Sequence, residues 1–502
     1  MDGLAPARVS APPAHPAALV RARAAVRTTW PAWSVGALIA AIHTVWSWRQ
    51  WARFDSPSWD LGIFTQLIQD YSRLEAPIVP IKGEGYFLLG DHFHPLLVVL
   101  APFYRMFPSG FTLLVAQNVL LGISAGILTW LGVRLLGRWS GIAIGLAYGA
   151  SWGLQTAVAS QFHEVALAMP LLAASLTALV LRRHRAAALW ALPLLGVKED
   201  LGLTVAAIGV VIALQGGRRL GAALAAGGVA AFVLVTSVVL PALNPDGVWA
   251  YAEDSVLSRL LSDPAATLAG LTDGAGTKAG MVTLSLAITA FLALRSPIIL
   301  VAVPTFAWRL TSDVPYHWGT DWHYSAPLMI IAMVALVDGL HRLAERTEAR
   351  RRAGGAPVPA TGPGGRFLAL RAPVRVREVA TGVLLFAIVA SSQFPWSRLV
   401  EPEFYRPSPT AAGARGALAT VTPGDRVVTD ITLMAYLVPT ARVYWLGHDN
   451  PVPDLIVLDR HSGVWGGEPP RDAAEWGEDR FDGSTFTQIY DRDGFLVAER
   501  DG

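Results

Sequence analysis

Long apolar stretches, most of them bounded by arginine, recur from about Trp33 to about Ser391, without the strict alternation of a β-barrel. A helix crossing a hydrocarbon core needs roughly 20 apolar residues, fewer where helices are broken or packed inside protein. The pattern predicts about 11 transmembrane helices, at 33–50, 111–133, 140–157, 165–181, 186–197, 201–215, 220–241, 280–294, 297–311, 325–341 and 379–393. The pair 186–197 and 201–215 is too short for two ideal crossings and reads as a tilted or partly re-entrant hairpin. Past residue 394 the pattern changes: short alternating runs at Arg426–Thr429, Ala441–Tyr444, Leu455–Leu458 and Phe495–Ala498 predict strands.

Arginine orients the spans. The N-terminal arm 1–32, Arg134/Arg138, Arg182-Arg183-Arg185, Arg218-Arg219, Arg295 and the basic loop 342–377 fall on one side if the spans alternate. The positive-inside rule makes that side cytoplasmic. The chain is then expected in the plasma membrane as a multi-pass protein. A transmembrane region 33–393 has its N-terminus inside, and a small α/β domain, 394–502, lies outside. The first loop, 51–110, and a polar loop, 242–279, share the outer face, with a short apolar helix at 95–106 lying at the interface. The Gly/Pro/Ala/Arg-rich segment 351–366 reads as a cytoplasmic linker. The basic N-terminus resembles the start of a signal peptide. The long, Trp-rich stretch after it lacks a small-residue cleavage site, so an uncleaved first span is expected.

Composition agrees. Of 502 residues 53% are hydrophobic and only 16% charged, against about a quarter charged in soluble proteins. The net charge of +2 says little, because the positive charge is segregated rather than global. Cysteine is absent, which removes disulfides, thiolate metal sites and cysteine nucleophiles. No P-loop, Rossmann glycine fingerprint, H-E-x-x-H or G-x-S-x-G motif occurs, so ATP-driven transport and serine or zinc hydrolysis have no support. Nothing points to nucleic acid.

The polar interruptions gather at the predicted outer ends of the spans, where ionisable residues are costly. Asp60 follows Pro57 at the start of an apolar segment; it reads either as a helix N-cap or as a base just outside the first span. Gly90-Asp91-His92-Phe93-His94-Pro95 is the densest cluster, and Pro95 favours an extended residue before it. Its histidines suit proton transfer, phosphate contact or a metal, or else cap a helix at the interface. A divalent metal drawn from Asp91, His92, His94 and His163 lacks a recognisable complete ligand spacing, so no cofactor is expected.

His163-Glu164 opens another span, and Lys198-Glu199-Asp200 tips the short hairpin. A partly sunk Lys198 needs an anionic partner or a substrate phosphate. The segment from Asp313 through His317, Asp321, His323 and Tyr324 mixes aromatic platforms with titratable groups, suited to a sugar or headgroup and equally to an aromatic belt. Arg309, one turn earlier, is a phosphate contact or a snorkelling residue.

The ordered motifs Trp59-Asp60-Leu61-Gly62-Ile63-Phe64, Gly90-Asp91-His92-Phe93-His94-Pro95, Phe162-His163-Glu164, Lys198-Glu199-Asp200 and His323-Tyr324-Ser325-Ala326-Pro327 resemble a bacterial family of polytopic membrane proteins catalogued as a domain of unknown function. The resemblance runs from about Trp46 into the C-terminal domain. That family in turn distantly resembles the C-type glycosyltransferases in architecture. Those enzymes have an inside N-terminus, an acidic residue in a large first outer loop and often an outer soluble domain, and they use polyprenyl-phosphate sugars. The resemblance puts Asp60 in the place of the acidic residue, although the common acidic pair is absent because Leu61 follows it. It puts Lys198 near the lipid phosphate.

The function expected is glycosyl transfer from a polyprenyl-phosphate sugar to an envelope glycan or glycolipid acceptor at the bilayer surface. Asp60, His92, His94 and His163 would be catalytic. Asp91, Glu164, Lys198, Glu199, Asp200, Arg309, His317, Asp321, His323 and Tyr324 would bind substrate. A transporter or flippase would instead place titratable groups mid-span and usually show internal repeats. A non-catalytic envelope scaffold would leave the clusters as structural hydrogen-bonding groups.

Overall fold

A computed structural model describes residues 16–56, 59–252, 256–352 and 375–502. The first part of the N-terminal arm, the turn at Pro57 and most of the 351–366 linker lie outside the described residues. The chain is mostly helical, with one small sheet near its C-terminal end.

Helix α1 (Pro16–Ala52) is followed by α2 (Trp59–Arg73), α3 (Ala101–Met106) and α4 (Gly110–Leu136). Ser109 caps α4 by accepting from the Phe111 amide at 3.1 Å. Gly137, at φ 89°, ends it. A Cβ on Gly122 would stand 2.5 Å from the Gly36 carbonyl oxygen, so α1 and α4 pack as closely as two backbones allow. Asn118 and Ser47 hydrogen-bond across the same seam at 3.0 Å.

Next come α5 (Arg138–Gly149), α6 (Trp152–Ala159), α7 (Val165–Val180), α8 (His184–Ala191), α9 (Leu201–Leu214) and α10 (Arg218–Leu234). The stretch 140–157, expected as one span, is broken at Ala150 and Ser151, where Ser151 is extended. Pro193 converts the end of the α8 segment into a 3₁₀ turn, Leu192–Gly196. In α10 the chain passes through a π turn, Val235–Val239, into α11 (Leu240–Leu243), where Pro241 lacks the amide an α-helix would use.

The 242–279 loop carries two short helices, α12 (Val256–Ser262) and α13 (Pro264–Gly270), before α14 (Ala275–Ala287). The expected span 297–311 is a 3₁₀ segment, Pro297–Ala302, continued by α15 (Val303–Thr311). Then come α16 (Ala326–Arg352) and α17 (Val376–Ala390).

Among the described residues four helices are long and apolar enough to cross a membrane: Gly110–Leu136, Arg218–Leu243, Ala326–Ala349 and Val376–Gln393. Four shorter apolar helices, Pro95–Met106, Val165–Val180, Leu201–Leu214 and Pro297–Thr311, join them. Burial separates inside from outside. The apolar window of α16 is 89% buried and that of α17 only 22%, so α16 is the axis of the bundle and α17 turns Leu385 and Val389 outward. The 95–106 segment exposes Val98, Val99, Phe103 and Met106 along one flank.

The C-terminal part holds α18 (Ala411–Ala419), β1 (Arg426–Thr429), α19 (Met434–Leu437), β2 (Arg442–Trp445), β3 (Leu455–Asp459), α20 (Ala473–Glu478), β4 (Phe486–Arg492) and β5 (Phe495–Arg500). The sheet order is β2-β1-β3-β5-β4, with β2, β1 and β3 parallel and β5 antiparallel to β3 and β4. The expected strands form within a residue or two. The additional strand β4 carries Asp491 and Arg492 and exposes most of its residues, so it has no apolar pattern to betray it.

Helix α2 is held between this sheet and the apolar helices. Gln66 donates to the Val443 carbonyl at 2.8 Å and accepts from the Ile81 amide at 3.1 Å. Gln69 donates to the Val438 carbonyl at 2.9 Å. Tyr436 stacks on Trp51 at 3.7 Å and donates to its carbonyl. Gly62 leaves room for Met434.

Candidate functional site

Four separate segments meet at the N-terminal turn of α2. Asp60 projects from that turn and is the open member, its side chain 43% exposed. The His163 imidazole Nε2 lies 3.2 Å from Asp60 Oδ2, within ion-pair reach although the ring is not aligned for a hydrogen bond. His163 is buried; its amide donates to Gln117 Oε1 of α4 at 3.2 Å. Its ring stacks on His323 at 3.6 Å between centroids.

Behind His163, the carboxylate of Glu164 meets the Lys198 ammonium at 2.7 Å. Glu199 accepts from the Phe93 amide at 3.0 Å and faces His92 Nδ1 at 2.7 Å. His92 stacks on Tyr251 at 4.6 Å. Asp91 pairs with Lys82 at 3.1 Å. His94 is buried, edge-on to Phe64 at 5.7 Å. Gly90 is required here: a Cβ would stand about 2.5 Å from the backbone at Leu243, and Asn244 donates to the Gly90 carbonyl at 3.1 Å.

Asp60, Asp91, His92, His94, His163, Glu164, Lys198, Glu199 and His323 therefore form one packed, contiguous cluster. His92 and His94 do not act as a pair, since each turns to a different partner. Among the described residues no group of three or more His, Asp or Glu side chains is arranged to hold a metal ion.

Two members follow strained backbone. Gln161, two residues before His163, has φ 74°, and Trp322, directly before His323, has φ 64°. Left-handed conformations in such side chains persist only when their surroundings impose them, and they concentrate at functional sites.

These groups lie in the loops between helices and in the first turn of α2, and their titration follows from burial set against neighbours. Burial opposes the charge on Lys198, but Glu164 and then Asp200 and Glu199 outweigh it, so the ammonium stays well above its ordinary range. Burial opposes Glu164 as well, and Lys198 outweighs it, holding the carboxyl well below its usual value. Glu199 falls to about 2, because His92 overcomes burial. His92 is raised, since Glu199 overcomes burial there too. Asp60 sits lower than usual, burial being overcome by His163. Burial raises Asp200 to about 6 and lowers His94 to about 4. His323 is lowered well below its ordinary value by burial, then by His163. At neutral pH the site thus holds the Glu164–Lys198 ion pair and an ionised Asp60, with neutral imidazoles at His94 and His323.

The remaining candidates have other surroundings. Arg309 is fully buried and donates to the His317 carbonyl at 2.8 Å, to Ser325 Oγ at 2.7 Å and to the Gly319 carbonyl at 2.5 Å. It braces the 313–325 segment, with three of its five N–H donors on protein acceptors and the side chain fully buried, which argues against the expected phosphate contact. His317 and Tyr324 pack edge-on at 4.9 Å, with Trp308 beside both, in an aromatic box joined to the cluster through His323 and Tyr324 at 4.2 Å. Asp321 is exposed and stands outside the cluster.

Sequence reasoning missed Gln117, Tyr251 and Lys82. A glutamine inside the apolar α4 was a usable signal. Tyr251 lies in a loop without a motif, and only the fold brings it to His92.

The fold and site define a membrane protein with a charge-paired polar cluster at the start of α2, the helix that packs on a small α/β domain. The chain belongs to the family described as "Predicted membrane protein (DUF2079)", whose model matches residues 50–497. No curated protein matches it in sequence. The similar solved structures include two of the same protein. ArnT from Cupriavidus metallidurans bound to undecaprenyl phosphate is 13% identical, with 92% of this chain and 97% of that one covered and a TM-score of 0.47. ArnT from the same organism in the apo state is 14% identical, with 87% and 92% covered and a TM-score of 0.45.

Proposed function

We propose that the cluster is the active site of a membrane glycosyltransferase. It would move a sugar from a polyprenyl-phosphate donor to a hydroxyl of an extracytoplasmic glycan or glycolipid. The observation that carries this reading is Asp60: an ionised carboxylate, 43% exposed, at the rim of a cluster whose other charges are buried and paired. The arginine distribution supports an outer location for this rim and for the C-terminal domain, with the N-terminus cytoplasmic.

In the reaction, the acceptor oxygen forms the new bond to the sugar's anomeric carbon while the bond from that carbon to the phosphate oxygen breaks. Polyprenyl phosphate leaves with the bonding electrons. The acceptor proton passes to Asp60 and then to water. With its pKa lowered, Asp60 is a weak base, so it takes the proton late, once the forming bond has made the hydroxyl acidic. Holding both substrates beside it supplies much of the rate. Lys198 spends one of three donors on Glu164 and directs its positive charge to the donor phosphate. His163 and His323 fix the position of Asp60.

The test is transfer from a panel of polyprenyl-phosphate sugars by reconstituted wild type and Asp60→Asn. Asn caps a helix nearly as well as Asp, so the variant should fold and bind donor while transfer falls roughly 10²–10⁴-fold. Full activity in Asp60→Asn removes Asp60 from the mechanism. Failure of the wild type with every donor sinks the transferase in favour of transport or a scaffold.

A further inference from the structure

A second polar site lies at the carboxyl edge of the parallel part of the C-terminal sheet. Strands β2, β1 and β3 end side by side there, and β1 is flanked on both sides by later strands. Such a reversal of strand order is where open α/β sheets leave a binding crevice.

Five buried polar atoms at this edge make no hydrogen bond within the protein: Thr429 Oγ1, Trp445 Nε1, His448 Nε2, Asn450 Oδ1 and Ser462 Oγ. Thr429 is fully buried and Ser462 is 8% exposed. Thr429 is paired in register with Trp445 of β2 and Val457 of β3, and the Trp445 ring packs edge-on against His448 at 4.8 Å. Buried polar groups almost always find partners, so these five are open to water or to a ligand.

The edge carboxylates are already engaged. Asp430 accepts from the Thr432 amide at 2.8 Å and the Asp459 amide at 2.5 Å, and Asp459 accepts from the His461 amide at 2.8 Å. They frame the loops, and their charge disfavours an anion. The free atoms are two hydroxyls, an indole donor, an amide acceptor and an imidazole nitrogen, a mixture that complements sugar hydroxyls.

The edge also reaches the cluster. Alternation along β1 puts Thr429 on the face of Val427, which joins the core containing Leu61 and Leu67 of α2. Trp445 packs edge-on against Trp59, the residue before Asp60, at 4.7 Å.

We propose that this edge binds a neutral, hydroxyl-rich carbohydrate and presents it to Asp60. It would be the acceptor subsite of the transferase, and in that respect the inference rests on the proposed function.

The experiment is saturation-transfer NMR on the full-length protein in nanodiscs. The probes are neutral gluco-, manno-, galacto- and arabino-oligosaccharides, with inorganic phosphate as comparator. Wild type should bind at least one oligosaccharide. The double variant Thr429→Val/Ser462→Ala, which removes two hydroxyls at nearly constant volume, should bind it about tenfold more weakly. If that variant melts early, His448→Ala should show a loss in the same direction. The proposal is overturned if no oligosaccharide binds, if phosphate binds in preference, or if folded edge variants bind like wild type. Carbohydrate binding at this edge without transfer from any donor would overturn the transferase instead and leave the binding site standing.

Discussion

Breaking the Glu164–Lys198 pair from one side at a time tests whether the cluster is held by mutual charge compensation. The ammonium and carboxylate are 2.7 Å apart, with side chains 17% and 3% exposed. At an effective dielectric of about 20 their attraction is about 6 kcal/mol. Taking each charge out of water costs several kcal/mol, so the intact pair is close to neutral for stability. Removing one partner is different. Lys198→Met leaves Glu164 buried and ionised without its main cation, at a cost of about 3–5 kcal/mol. Glu164→Gln leaves Lys198 beside Glu199 and Asp200, so the cost should be smaller, about 1.5–3 kcal/mol for a lost charge-assisted hydrogen bond. The double variant Glu164→Gln/Lys198→Met should recover part of the loss and melt above Lys198→Met alone. Thermal unfolding of the four proteins in one detergent reads the cycle. Strict additivity, or a Lys198→Met protein that melts with the wild type, would refute the reasoning and return Lys198 to an ordinary solvated loop residue.

The His92–Glu199 pair predicts a pH dependence. His92 is raised, so its stabilisation is complete below 6.5 and is lost as pH climbs through the raised value; Glu199, at about 2, contributes above 4.5 and loses that only as pH falls towards 2. Melting temperature should therefore fall on the alkaline side, and Glu199→Gln should remove that step; an unchanged profile in the variant would count against the pair. Arg309→Met should destabilise the protein by about 3 kcal/mol or more, because three acceptors lose their donor in a buried site, whereas unaltered melting with weaker donor binding would restore a phosphate role. Gly122→Val should push α1 from α4 and sharply lower the yield of folded protein, and normal folding would show that the two helices separate freely.

Much of the helical body was legible because apolarity is a one-dimensional signal. Continuous helices such as α4 and α16 stand where the hydropathy put them. The breaks at Ser151, Pro193 and Pro297 were less legible, since a window average smooths over a single residue that redirects the backbone. The cluster was legible as a set of residue types and not as a set of partners. Nothing in the order Lys198-Glu199-Asp200 says that Lys198 turns to Glu164 and Glu199 to His92. Arg309 shows the limit most clearly, because its acceptors are backbone carbonyls and a hydroxyl, which carry no pattern in the sequence. The edge of the C-terminal sheet escaped for the same reason: Thr429, Ser462 and Asn450 acquire meaning only when three strands end together.

The charge arrangement gives a reason for the reactivity assigned to Asp60. A cluster with many acidic groups in a poorly solvated place would normally neutralise itself by taking up protons. Here Glu164 and Glu199 avoid that by pairing with Lys198 and His92, while Asp200 is pushed up to about 6. With those charges partly compensated inside, the field at the rim is set mainly by Asp60, the adjacent His163 and what remains of the Lys198 charge. Asp60 stays ionised with His163 beside one of its oxygens at 3.2 Å, and its 43% exposure leaves it open to substrate. The left-handed residues at 161 and 322 then have a purpose, since they bring His163 and His323 into the stack behind the carboxylate. On this argument His323→Ala should loosen His163 and lower turnover while leaving donor affinity near wild type. A loss confined to donor affinity would place His323 on the substrate instead.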